Sequence, residues 1–580
     1  FYAWSRYLTP PADKRANQIK TTTPPEQNGA QNAPGQSSNK TVEKIQISGT
    51  APKRVVQIET PLYKIEFDSQ GALATSWILK KNKISDRVLL SASTTKGNPQ
   101  VLELVSKEGL QQVPRNAPLK VITGDESVDA VLAESNWTIV GADTDQLSLT
   151  QPASIEFELK SPERGLSVRK RITFSPDRYD VAFGLTIERD GKQLNNVRIS
   201  LGPNTGDQGV GHYSFYSVAP QGIAILNDKT QARYIAQTIN DNKNTPGREV
   251  INGAVHWAGV EDTYFAMAAV LSKPADGLEF RTTKFEHELA GAPTGAKETR
   301  YLIEALVPVP ADGSEFKLFV GPKDHAVLID GSALISKDLG VDVDLENLID
   351  YGWFGFISRP LAVPILWSIK MLYGVFNSYG VAIIIFTVLI YSLFLPLKWR
   401  SSKSMKKAQR LAPRMKEVQE KIKTLKPNDP RLKDMQKEQF KLMKEGNPLG
   451  GCLPMLIQMP FLFALYKAMT IYIDFRQASF LWIPDLTAAD QYHILPILMA
   501  ASMIIAQLIT PMPQTDPLQK KLMIFGMPLM MLYFFWNVPA GLQLYWLVGN
   551  IVGFGQQMLI NYLTKSENEK TLTTGELVRS

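Results

Sequence analysis

Beyond residue 375 the chain carries five apolar runs of near membrane-spanning length, at about 376–397, 451–471, 494–510, 522–537 and 541–562. A helix needs about 20 apolar residues to cross the roughly 30 Å hydrocarbon layer, where a backbone polar group without a partner is costly. The third and fourth runs hold only about 16 or 17 residues, which implies a thinned bilayer around them. Val538-Pro539-Ala540 leaves room only for a tight outer turn, so the last two runs form an antiparallel hairpin. The average composition hides this. At 44% hydrophobic and 21% charged residues, mean hydropathy −0.11 and net charge +7, the whole chain reads as an ordinary basic protein, and collagen-like, disulfide-framework and wholly disordered classes are excluded.

The remaining 375 residues divide by pattern. Phe1-Tyr2-Ala3-Trp4-Ser5-Arg6-Tyr7 has the aromatic and basic character of a membrane rim, which predicts a further span just upstream. Residues 9–50 are rich in Pro, Gln, Asn, Ser and Thr and cannot bury enough surface to order, so 1–54 reads as an anchor end and linker. From 55 to 340, period-two runs such as Val55–Glu59, Lys64–Phe67, Ser154–Leu159, Leu166–Ile172 and Phe316–Val320 predict a large antiparallel β-sandwich, with no helix of comparable length in it. Within 341–375, aromatics and aliphatics are interrupted by Arg359, Pro360, Pro364 and Lys370, which predicts an interfacial amphipathic helix over 353–375. Residues 376–562 are the membrane core, and 563–580 a cytoplasmic tail.

Charge sets the orientation. Residues 398–447 hold 16 Lys/Arg against six Asp/Glu, a net of +10, which leaves −3 for the rest of the chain. The loop 472–493 carries Asp474, Arg476, Asp485 and Asp490, whereas Lys520 and Lys521 lie in the next loop. Positive residues stay inside, so 398–447, 511–521 and the C-terminus are cytoplasmic, and 472–493 and the β domain are outside. In 398–447, Met405, Ala408, Leu411, Met415, Val418, Ile422 and Leu425 recur at helical spacing. Leu432, Met435, Gln439 and Met443 do the same after the turn Lys426–Pro430, which predicts a two-helix hairpin with an apolar seam. Its basic exterior, including Lys406, Lys407, Arg410, Arg414, Lys423 and Arg431, suits ribosomal RNA, anionic lipid or another cytoplasmic partner; fixing topology alone is the other reading.

One Cys and five scattered His residues leave no metal site, and no cofactor, nucleotide loop or small-molecule substrate is expected. The polar residues inside the spans are the informative ones: Thr387, Ser392, Gln458, Gln507, Asn550, Gln556 and Gln557. Each alone suits helix-to-helix hydrogen bonding; together, near the cytoplasmic end, they suit a wet cavity. Gly549 and Gly553 read as a packing pair.

The stretch Asn447–Pro460 (NPLGGCLPMLIQMP), Phe475-Arg476-Gln477-Ala478, Thr515–Met523 (TDPLQKKLM) and Pro539–Trp546 (PAGLQLYW) together resemble the YidC family of membrane protein insertases in order and spacing along the whole chain. The resemblance implies a multi-domain inner-membrane protein: a periplasmic β super-sandwich of sugar-mutarotase type, an all-α five-span core with a sixth span before Phe1, and a cytoplasmic hairpin. It implies insertion and folding of nascent membrane proteins, alone or with the Sec translocase and ribosome, through a polar groove open to cytoplasm and lipid. It would place Thr387, Tyr391, Ser392, Gln458, Gln507, Trp546, Asn550 and Gln556 along that groove. One departure stands out. Where the family carries an arginine, five residues before a proline, this chain has Tyr391 before Pro396, and Trp546 stands where many members have tyrosine. Lys467, roughly 24 Å along its helix from Gly451, lies near the outer face and is no substitute. The expectation is a groove that works by neutral hydrogen bonding and takes clients with few acidic residues better than acidic ones. A translocase-associated assembly factor, a solute transporter and a periplasmic carbohydrate enzyme are the rival classes.

Overall fold

The computed structural model describes residues 51–577 except 96, 212, 214–217, 227–229, 289–296, 353–354, 426–429, 447–452 and 510–516. The linker and the upstream anchor lie outside the described residues, as do most of the hairpin turn and Asn447–Cys452 and Thr515-Asp516 of the family motifs.

Residues 55–322 form two sheets packed face to face. The smaller runs in the order Leu102–Glu103, Leu73–Leu79, Tyr63–Asp68, Val55–Glu59 and Gln146–Ser148; the larger has 13 strands. Alternation drives this packing: in Leu166–Phe174 every second side chain points inward, and Phe67 of one sheet meets Phe157 and Phe174 of the other at 5.5 and 6.1 Å between ring centroids. Two features depart from the expected all-antiparallel sandwich without long helices. Val55–Glu59 and Gln146–Ser148 pair in parallel. The domain also closes with a 15-residue helix, α1 (His325–Leu339), which Asp324 caps by accepting from the Ala326 and Val327 amides, and Gly340 ends it at φ 68°. Val343, Leu345, Leu348 and Ile349 sink into the β core, so that domain extends past residue 340 and the interfacial segment starts later than expected.

Among the described residues eight longer helices follow: α2 (Gly355–Phe376), α3 (Tyr379–Leu393), α4 (Leu395–Thr424), α5 (Arg431–Gly446), α6 (Leu453–Ile471), α7 (Ile494–Ile509), α8 (Met527–Phe535) and α9 (Ala540–Leu577). A short turn of helix, Pro517–Lys521, and a π-helical turn, Leu522–Gly526, lead into α8. Among the described residues no single helix is long and apolar enough to cross a bilayer; α3 and α4 reach that length together across a 54° bend. In α2, Ser358, Ala362, Ile365, Ile369 and Leu372 form the buried stripe, while Phe356, Trp367, Met371 and Val375 face outward. Two apolar faces on one helix suit a body packed on protein and bathed in lipid.

The core is packed unevenly along its length. The outer halves of α3 (Ile383, Phe386), α6 (Ala464, Ala468, Met469) and α9 (Leu542, Leu544) join one buried cluster with Phe475 and Leu486 of the outer loop. Beside this cluster, at the end of α3 that meets α4, lies a cavity.

Candidate functional site

Four segments build that cavity. α3 and its bend supply Ile390, Tyr391, Phe394, Leu397 and Lys398, α6 supplies Gln458 and Phe461, and α9 supplies Tyr545 and Gln556. It holds about 100 Å³, room for several waters. Gln458 donates its side-chain amide to the Tyr391 hydroxyl, and Gln556 Nε2 donates to the Tyr391 carbonyl at 2.9 Å. That carbonyl sits near the end of α3, where helix geometry leaves acceptors over.

Small residues admit this arrangement. A Cβ on Gly549 would collide with the Tyr391 ring and hydroxyl, and one on Gly553 would stand 3.2 Å from Lys398 Nζ. The pair is therefore a packing device, as its spacing suggests, and Tyr391 is what packs on Gly549. Lys398 lies two turns beyond Tyr391, and its Nζ donates to the Gly553 carbonyl at 2.5 Å. Among the described residues no carboxylate pairs with it.

Of the eight groove residues expected from sequence, the structure gathers Tyr391, Gln458 and Gln556 at the cavity. The others sit elsewhere. Thr387 is fully buried one turn outward, its hydroxyl bonded back to the Ile383 carbonyl at 2.6 Å. Ser392 is on the exposed face, bonded to the Val388 carbonyl at 2.7 Å. Asn550 donates to Ser502 Oγ at 2.9 Å across the α7–α9 seam, and Gln507 Oε1 on α7 is buried with no partner among the described residues. Trp546 packs edge-on against Phe535 of α8 at 4.8 Å between centroids, turning away from the cavity that its neighbour Tyr545 lines. Sequence reasoning missed Tyr545 and Lys398. The period of 3.6 was the available signal, since Tyr545 is 11 residues, close to three turns, before Gln556. Lys467 is at the outer end, as expected, where its Nζ donates to the Asp350 carbonyl at 2.8 Å.

The hairpin forms from α4 and α5. Val418 and Leu442 are its most buried apolar residues, and Arg414 pairs with Glu438 across it at 2.7 Å. Lys407, Arg410, Lys423 and Arg431 face solvent, and Lys406 is half-buried. Burial, then the nearby Arg410 charge, lower the Lys406 pKa. Met443, expected in the seam, is 46% exposed; Leu442 takes its place.

Comparison with known proteins gives this geometry a context. A family model described as the 60Kd inner membrane protein matches residues 371–568, and one described as the YidC periplasmic domain matches 55–364. Membrane protein insertase YidC of Syntrophus aciditrophicus is 32% identical, covering 96% of this chain and 95% of the relative. The protein of that name from Geotalea daltonii is 34% identical over 72% of each chain. A solved structure of an active YidC insertase with its first transmembrane domain resolved aligns over 87% of this chain and 94% of that one, at 16% identity and a TM-score of 0.32. With its β-sandwich and its helical core each matched in turn, the chain belongs to the YidC family of membrane protein insertases.

Proposed function

We propose that the cavity between α3, α6 and α9 receives the polar flank of a client while the client's apolar segment leaves sideways into lipid. The chain is an inner-membrane insertase; the pathway through it is our reading. The observation that carries it is the cavity lined by Tyr391, Gln458, Gln556 and Lys398 next to the buried cluster of the same helices. Carrying one charged residue through a bilayer centre costs about 2.5–3.5 kcal/mol on insertion scales. A cavity with room for water and hydrogen-bonding walls takes that residue partway without full dehydration, and short helices reduce the lipid thickness that remains. The client's apolar burial and the membrane potential supply the drive.

In this reading the five runs cross the membrane with α2 along the outer surface, a sixth span precedes Phe1, and the β domain is periplasmic. The exposed basic residues of the hairpin meet the ribosome or anionic headgroups, and the Sec translocase is a partner on some clients. Lys398 alters the expectation of a purely neutral groove, because it brings a cation to the cavity two turns from Tyr391. Photocrosslinking of a stalled nascent chain tests the path. Probes at Tyr391 and Gln458 should capture the client, and probes at Ser392 and Leu389, on the outward face of α3, should not. Equal capture at all four positions would exclude the cavity as the route.

A further inference from the structure

Three arginines on the outward face of the large sheet converge on one buried carboxylate. In the strand Phe265–Glu288, Leu278 and Phe280 enter the sandwich core, so alternation turns Glu279 and Arg281 to the opposite face. Arg248, the first residue of the strand Arg248–Glu261, stands opposite Arg281 in register. Arg198 reaches the same carboxylate from Arg198–Leu201, across the strand Lys297–Pro308 that lies between. Arg198 Nη1 donates to Glu279 Oε2 at 2.7 Å, Arg281 Nε to Oε1 at 2.7 Å, and Arg248 Nε and Nη2 to Oε1 and Oε2 at 2.8 and 3.1 Å. The Glu279 side chain is 1% exposed, against 35%, 55% and 45% for Arg198, Arg248 and Arg281. Leu306, opposite Glu279, is fully buried on the same face, so the carboxylate rests on an apolar floor and the guanidiniums form its rim.

A single arginine satisfies a carboxylate through a two-bond fork. Three around one carboxylate leave a net charge of +2 on the cluster. Burial opposes the ionisation of Glu279, but the Arg281 and Arg248 guanidiniums outweigh it and hold the carboxyl below its usual range. Glu304, opposite Arg281, accepts from Ser200 Oγ at 2.6 Å, and with it counted the patch is still positive. Each guanidinium carries five N–H donors, so most of the donors in the cluster are not spent on Glu279. The cluster is also remote from the membrane core. Glu261, about 40 Å along the strand from Arg248, pairs with Arg233, whose Nη2 donates to the Asn347 and Leu348 carbonyls shortly before α2.

We propose that Arg198, Arg248 and Arg281 form a binding site for the phosphate monoester of a small soluble molecule on the periplasmic β domain. A dianion neutralises the surplus charge, and its tetrahedral oxygens accept two-bond forks. Glu279 already holds the arginine stems in place, so little side-chain freedom is lost on binding. The distance from α2 favours a soluble ester over a headgroup of the surrounding bilayer. The site is independent of the route that a client takes.

Calorimetric titration of the full chain in uncharged maltoside micelles tests the site, with glycerol 3-phosphate as the probe and glycerol as the control. Glycerol 3-phosphate should bind saturably and glycerol should not. Arg248→Ala and Arg281→Ala should each weaken binding roughly tenfold. Arg171→Ala, which removes an exposed arginine paired with Glu156 on another strand of the sheet, should leave it unchanged. If either of the first two variants does not accumulate in the membrane, the other is read alone, with Arg248→Lys expected to fall between it and the unsubstituted chain because it keeps the charge and loses the fork. Absence of saturable binding overturns the site, as does binding that Arg171→Ala weakens equally. Repeating the titration in micelles doped with phosphatidylglycerol separates the two phosphate sources: loss of glycerol 3-phosphate binding there assigns the arginines to lipid and overturns the soluble ligand. Binding of poly-aspartate with none of glycerol 3-phosphate overturns it in favour of an acidic polypeptide.

Discussion

Tyr391 shows how one residue organises a site. Its ring needs the bare backbone of Gly549. Its hydroxyl is held by Gln458, so the position contributes a fixed neutral dipole instead of a mobile charge. A cation reaches this cavity from Lys398, whose ammonium donates to the Gly553 carbonyl and, among the described residues, meets no carboxylate. A carboxylate entering the cavity would meet that ammonium in a half-hydrated space, where a charge pair is worth about 1 kcal/mol or more. Lys398→Gln should therefore lower insertion of a client with two Asp in its flank roughly fivefold relative to the matched Asn client. Insertion of the pair in proteoliposomes measures the ratio. A ratio that the substitution leaves unchanged would return the site to neutral hydrogen bonding.

Elements were legible where one period governs them. The strands Leu166–Phe174 and Ala153–Ser161 differ from the alternating runs by no more than two residues at either end, because a half-buried strand repeats every two residues without drift. Helix faces are harder to place, and the hairpin shows why. Leu442 stands seven residues after Met435, about 20° short of two full turns, whereas Met443 overshoots by about 80°. Spacing of three or four admits either residue, and only the position of the partner helix decides. Leu442→Ala should cost the hairpin about 2–3 kcal/mol through lost burial and the void left behind, and Met443→Ala less than about 0.5 kcal/mol. Hydrogen exchange of the α4 and α5 amides in the full chain reads the difference. The site was only partly legible for a related reason: which polar residues converge depends on the 54° bend between α3 and α4 and on how α6 and α9 pack beside it, and neither is written in any single segment. Thr387 and Ser392 illustrate this, since a hydroxyl in a helix can satisfy itself on the turn before it and never reach a cavity.

At the scale of the whole molecule, the β domain is a conventional sandwich with one unconventional residue at its centre. Alternation through Leu166, Val168, Lys170, Ile172 and Phe174 turns a lysine into the core, and Lys170 is fully buried there. Its Nζ donates to the Ala72 and Leu119 carbonyls at 2.7 and 2.9 Å and lies 5.2 Å from the Trp137 ring, so it ties the small sheet to the large one. Burial lowers its pKa from the ordinary 10.5 to about 7. Between those values the unfolded chain carries the proton and the folded domain does not, so unfolding takes up a proton and stability rises with pH. Below about 7 both states are charged, and the folded domain bears the whole cost of the buried ammonium. From pH 7 to 9, the unfolding free energy of the β domain in the full chain should climb by up to about 1.4 kcal/mol per pH unit. Lys170→Met removes the titrating amine, and the two stranded carbonyls it leaves cost the same at every pH. Denaturant unfolding followed by tryptophan fluorescence should thus give a nearly flat profile for the variant over this range, and a slope that survived the substitution would assign the titration to another group.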